Sequence, residues 1–158
     1  MLRPLILIGL LAAASAAAQT VPFGGIKGDP RAPVEMTADS LSVDQSTGLA
    51  TFRGNVVIGQ GAMRLKADTV AVTYAEGGPQ RIRSLHATGG VTLVNGPDAA
   101  EAKEAVYDVA SGNIVLTGDV VLAQGQNILA GDRVEVNLST GTAQAAGRVR
   151  SVLQPGAE

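Results

Sequence analysis

A repeat of 29 residues constrains this chain more than any other feature. Four segments align on a glycine: Ala50-x-Phe52-x-Gly54-x-Val56-x-Ile58, Leu85-x-Ala87-x-Gly89-x-Val91-x-Leu93, Ile114-x-Leu116-x-Gly118-x-Val120-x-Leu122 and Ala143-x-Ala145-x-Gly147-x-Val149. Each alternates with period two, as a strand with one apolar face must. A second series falls between them, beginning at Ala38-Asp39, Ala67-Asp68, Ala102-Lys103 and Gly131-Asp132. The interval is 15 residues from Asp39 to Gly54, from Lys103 to Gly118 and from Asp132 to Gly147. From Asp68 to Gly89 it is 21, which places six extra residues in the loop at 75–80. One unit is therefore two strands and two turns.

The turns carry their own chemistry. Ser46-Thr47-Gly48, Glu76-Gly77-Gly78-Pro79, Ser111-Gly112 and Thr140-Gly141 close the units, and Gln60-Gly61, Asn95-Gly96-Pro97 and Gln124-Gly125 join them. Such short glycine turns make successive strands antiparallel neighbours. The apolar parity switches inside the long strands: Met63, Leu65 and Ala67 share one face, whereas Val70 and Val72 fall on the other. A strand changes parity only through a bulge or bend. Each long strand is thus expected to bend near Asp39, Asp68, Lys103 or Asp132, giving half of itself to each of two facing sheets. The predicted fold is all-β, an antiparallel twisted β-jellyroll or flattened open solenoid with unclosed edges.

The rest of the chain divides around that body. Arg3, an apolar run at 5–14 and the small residues Ser15-Ala16-Ala17-Ala18 read as a secretory signal at 1–18, too short for a spanning helix. Residues 19–33 are expected to be a flexible N-terminal segment, 34–153 the β domain and 154–158 a tail. The chain has no cysteine, which excludes disulfides, thiolate metal sites and a lipidated N-terminus. The net charge is −2, and its longest basic grouping is Arg81-Ile82-Arg83, so no nucleic-acid partner is expected.

Catalytic chemistry is sparse. The single histidine, His86, has a parity opposite to Leu85 and Ala87 and is expected on the exposed face, with no partner supplied by its neighbours in sequence. Asp39, Asp68 and Asp132 recur in register, but Asp suits bulges by bonding nearby backbone, and Lys103 interrupts the row. Neither metal nor cofactor is expected. A carbohydrate-acting solenoid enzyme would need paired carboxylates on one face, and here they are scattered.

The apolar faces suggest a different role. Met36, Leu41, Phe52, Val56, Ile58, Leu65, Val70, Leu85, Val91, Tyr107, Leu116, Val120 and Leu122 are expected to point inward. Small aliphatic side chains between two splayed sheets could leave a groove for lipid chains, at roughly 0.8 kcal/mol per buried methylene. The unclosed edges are expected at 34–43 (Val34, Met36, Leu41, Val43) and 149–153 (Val149, Val152, Leu153), where strand pairing would build open head-to-tail rods.

The pattern Ala38-Asp39-Ser40-Leu41-Ser42-Val43-Asp44 with Thr47-Gly48-Leu49-Ala50-Thr51-Phe52-Arg53-Gly54-Asn55-Val56 resembles the organic-solvent-tolerance (OstA-like) domain family of periplasmic lipopolysaccharide transport proteins. The likeness runs from about Val34 to Leu153. It implies a periplasmic, non-enzymatic β-jellyroll whose interior carries the lipid A moiety of lipopolysaccharide. It also implies head-to-tail stacking between an inner-membrane LptC-type partner and an outer-membrane LptD-type translocon. Two alternatives are an LptC-like relative of the same pathway, and a self-assembling structural β-solenoid without a lipid ligand.

Overall fold

The computed structural model describes residues 28–76 and 81–155. The signal at 1–18, most of the segment at 19–33 and the glycine pair at 77–78 lie outside the described residues. Ten strands follow one another without a helix among the described residues: β1 (Val34–Thr37), β2 (Ser40–Asp44), β3 (Leu49–Gln60), β4 (Met63–Tyr74), β5 (Ile82–Asn95), β6 (Asp98–Asp108), β7 (Asn113–Gln124), β8 (Asn127–Asn137), β9 (Thr142–Ala146) and β10 (Arg150–Val152). They form one antiparallel meander in the order β1-β3-β4-β5-β6-β7-β8-β10, with β2 also on β3 and β9 also on β8. The path does not close.

The bends expected from the parity switches are present. Every pairing between long strands shifts register at the repeat glycine: Arg53/Val56, Lys66/Thr69, Thr88/Val91, Glu101/Glu104 and Thr117/Val120. Each shift is a bulge that folds the strand and reverses which parity faces the core. One half of the sheet then runs β2-β3-β4-β5-β6-β7-β8-β9, and the other runs β1-β3-β4-β5-β6-β7-β8-β10. The two halves pack face to face around a single aliphatic core.

The two sequence series turn out to be the two sides of each bulge. Gly54, Gly89, Gly118 and Gly147 have φ of 80°, 82°, 83° and 75°. A Cβ on Gly54 would lie 2.5 Å from the Asp39 carboxylate, and one on Gly147 would lie 2.6 Å from that of Asp132. Both the left-handed backbone and the side chain laid across it exclude any other residue. The fixed interval between the series is therefore the length of a hairpin that returns to its own bulge.

Lys103 interrupts the row of carboxylates, as expected, but takes the same structural place across its bulge glycine. Asp39 accepts a hydrogen bond from Asn55 Nδ2 at 3.0 Å, Asp132 pairs with Arg148 at 2.7 Å, and Lys103 pairs with Asp119 at 3.0 Å. The residue after the glycine changes sign together with its partner. Asp68 faces Gly89-Gly90 instead, and there the missing side chain leaves a surface hollow of about 380 Å³ beside Lys66.

Candidate functional site

The inward rows can be read strand by strand from the ladder. In the first half-sheet one row is Leu41-Phe52-Val70-Ala87-Ala105-Leu116-Val134-Ala145. The next is Val43-Ala50-Val72-Leu85-Tyr107-Ile114-Val136-Ala143. In the facing half-sheet the principal row is Met36-Ile58-Leu65-Leu93-Ala100-Leu122-Leu129. Val56, Val91 and Val120 sit beside the bulges and are buried.

All thirteen residues expected inward stand in or beside these rows, but they are not equally covered. Ten are buried, Met36 and Phe52 are partly buried, and Leu41 is 54 % exposed. Leu41 holds the inward register opposite Phe52, yet β2 is an edge strand and none of the described residues covers it. Its neighbour Val43 is 60 % exposed for the same reason. The expected open groove takes a different form here. The central side chains are 0–3 % exposed and pack on one another, and the space beside Leu93, Ala100 and Leu122 amounts to about 10 Å³.

The C-terminal edge also departs from expectation. Val152 pairs with Ile128, on the outer face, and Ser151 takes the inward position opposite Leu129. Val149 and Leu153 lie outside β10 and are exposed. The inward apolar surface at this end belongs to β9, through Ala143 and Ala145.

One margin of the interior is polar, which the sequence reading missed. The row Val34-Gln60-Met63-Asn95-Asp98-Gln124-Asn127 lies along the hairpin ends of the second half-sheet. Gln60, Asn95 and Asp98 are buried there. Their turn context suggested exposure, although their parity, two residues beyond Ile58 and Leu93 for the first two, already marked them as inward. Burial pushes the Asp98 carboxyl above the ordinary carboxylate range, and Gln124 opposite it offsets this in part. Neither carboxylate oxygen has a hydrogen bond of good geometry.

The far ends of the two half-sheets meet along a seam. There the Tyr107 hydroxyl donates to Gln60 Oε1 at 2.7 Å. Burial raises the Tyr107 phenol to a pKa of about 12. Residues 28–33 run over this seam. Gly28 N–H donates to the Leu138 carbonyl at 3.1 Å, and Gln60 Nε2 donates to the carbonyls of Pro30 at 3.1 Å and Ala32 at 2.9 Å.

His86 is exposed, as expected, but the fold gives it a partner that the local sequence did not show. Glu104, on the adjacent strand β6, contacts His86 Nε2 through Oε1. Both side chains are close to half exposed on the outer face, away from the core and the seam. No cluster of three or more potential metal ligands occurs among the described residues, and no described helix is long and apolar enough to cross a membrane.

Comparison with known proteins places this architecture. The lipopolysaccharide export system protein LptA of Escherichia coli K12 is 30 % identical over 158 residues, covering 94 % of this chain and 85 % of its own length. LptA of Haemophilus influenzae is 30 % identical over 140 residues, covering 82 % of this chain and 81 % of its own. Among solved structures, LptH of Pseudomonas aeruginosa is described as the LptA-homologous periplasmic component of a lipopolysaccharide transport device. It superposes with a TM-score of 0.73 at 23 % identity, covering 81 % of this chain and 99 % of its own, and so shares the fold. Residues 35–142 match the family model described as LptA/(LptD N-terminal domain) LPS transport protein, and the chain belongs to that family.

Proposed function

We propose that this protein is a periplasmic, non-enzymatic bridge that carries lipopolysaccharide from an inner-membrane LptC-type partner to an outer-membrane LptD-type translocon. The observation that carries the reading is the unbroken inward surface. Aliphatic rows run through the strands from β1 to β9 and emerge uncovered at the N-terminal edge as Leu41 and Val43. A second copy adding its β9 edge there would continue the surface from one molecule to the next, head to tail. Acyl chains in such an interior would gain roughly 0.8 kcal/mol per methylene, while the polar headgroup stays in water. The signal at 1–18 would export the chain. The LptA and LptH names of its relatives support the same pathway.

Site-specific photo-crosslinking tests the lipid-binding role. A photoreactive residue at Phe52 or Leu116 should capture lipopolysaccharide, and one at Arg53 or Thr117, on the opposite parity, should capture much less. Equal capture on both parities would reject an interior lipid site.

A further inference from the structure

The interior is full, so a lipid chain enters only if the two half-sheets part. Two routes exist: through the exposed N-terminal edge, or sideways through the seam where the hairpin ends meet. The half-sheets share continuous strands at their bends, which makes the bends the hinge. The seam is bridged instead by side chains and by the segment at 28–33.

That segment has the geometry of a strap. At one end Gly28 N–H donates to the Leu138 carbonyl, and Pro30 sits within 3.6 Å of where a Cβ on Gly112 would be. At the other, Gln60 Nε2 holds the carbonyls of Pro30 and Ala32. Between them Asp29 sets a turn, its side chain accepting from Arg31 N–H at 2.9 Å and its carbonyl from Ala32 N–H at 3.1 Å. Gln60 is 3 % exposed beneath the strap, so when the strap leaves its amide loses both acceptors at once. It needs another acceptor. An acylated amphiphile brings one, because its chains begin at ester or amide carbonyls lying where apolar tail meets polar head. Gln60 lies at the same kind of boundary, next to Ile58 in the aliphatic row and at the end of the polar one.

We propose that the seam under residues 28–33 is the lateral entry for the acylated lipid, and that Gln60 exchanges the strap's two carbonyls for acyl carbonyls of the ligand. The inference rests on the lipid-binding reading above and adds the route and a polar contact.

A disulfide lock tests the route in the full chain, which has no cysteine of its own. A Cβ on Gly28 would lie 3.6 Å from that of Leu138, within the roughly 3.5–4.5 Å that a disulfide spans. Gly28→Cys/Leu138→Cys pins the strap to one half-sheet, and Ala32→Cys/Gly61→Cys, with Cβ atoms 4.0 Å apart, pins it to the other. The protein carrying both pairs, oxidised, should bind purified lipopolysaccharide at least tenfold more slowly than the same protein reduced; since Gly61 has a φ of 56°, its circular dichroism spectrum must match the parent's. Equal uptake by oxidised and reduced protein would overturn lateral entry and leave lipid binding intact. If neither the parent nor the reduced variants take up lipopolysaccharide, the lipid-binding reading itself fails. Gln60→Met separates the contact from the route: it should release bound lipopolysaccharide at least threefold faster. An unchanged release rate in the folded variant would remove Gln60 from the ligand site.

Discussion

The Tyr107 hydroxyl donates to Gln60 Oε1 at 2.7 Å, tying β6 of one half-sheet to β3 of the other across 47 residues of sequence. Removing the donor leaves the Gln60 carbonyl buried without it. Tyr107→Phe should therefore destabilise the fold by about 1–3 kcal/mol, read by urea denaturation.

The same phenol predicts an alkaline transition. Its pKa is about 12 in the fold against 10.0 unperturbed, so the folded state holds the proton more tightly than the unfolded chain. Its contribution is fully present below pH 10 and is lost as pH rises towards 12. In Tyr107→Phe, the part of the alkaline loss of stability that belongs to this phenol should disappear. An identical pH profile for parent and variant between pH 10 and 12 would count against the assignment.

Asp98 works in the opposite sense to most surface carboxylates. Burial raises its pKa from 3.8, so its contribution is greatest below that pH and is lost as pH rises through the folded value. Asp98→Asn should be more stable than the parent at pH 7, by about 1 kcal/mol, because no buried charge remains. The difference should shrink as the pH falls below about 4, where both states of the parent carry the proton. Thermal melts at pH 7 and pH 3 measure both arms.

The alternating charges at the bulges make a fourth prediction. Hydrogen bonding to Arg148 lowers the Asp132 pKa, with the ionic attraction between them adding to it, while the unit before has the signs reversed in Lys103 and Asp119. Asp132→Lys alone should lower the melting temperature by placing two cations on one bulge. Asp132→Lys/Arg148→Asp, which copies the neighbouring unit, should recover it. A double variant as unstable as the single would show that charge pairing is not what fixes the residue after the glycine.

The repeat was legible because its constraint is local. A bulge needs left-handed backbone at Gly54, and the hairpin from Asp39 must return to that same point, so the fixed spacing and the parity switch together marked the bends. Seam and edges depend on contacts that strand parity does not encode. Val152 was expected on a free edge continuous with the interior, but β10 pairs Ser151 with Leu129 and turns Val152 outward. Gln60 was read as a turn residue because Gly61 follows it. That its side chain would meet Tyr107 and residues 28–33 is a property of the folded sheet. His86 and Glu104, 18 residues apart, were invisible to each other for the same reason.

The last prediction concerns the N-terminal edge. Leu41 and Val43 hold the inward register on β2 but are 54 % and 60 % exposed, so their substitution removes no packed core. If a second copy pairs its β9 edge with β2, both side chains become buried against the neighbour's Ala143 and Ala145. A lysine at either position would then have to enter that interface as an unpaired charge, which costs far more than a charge at a solvated edge. Leu41→Lys/Val43→Lys should therefore keep the parent's circular dichroism spectrum and thermal midpoint while losing end-to-end association by sedimentation velocity. Lysines at Val106 and Val121, equally apolar but on the outer face, should leave association as it is in the parent. Should the edge variant assemble as the parent does, the β2–β9 pairing is not the joint; should the outer-face variant fail to assemble, the copies join through the outer face.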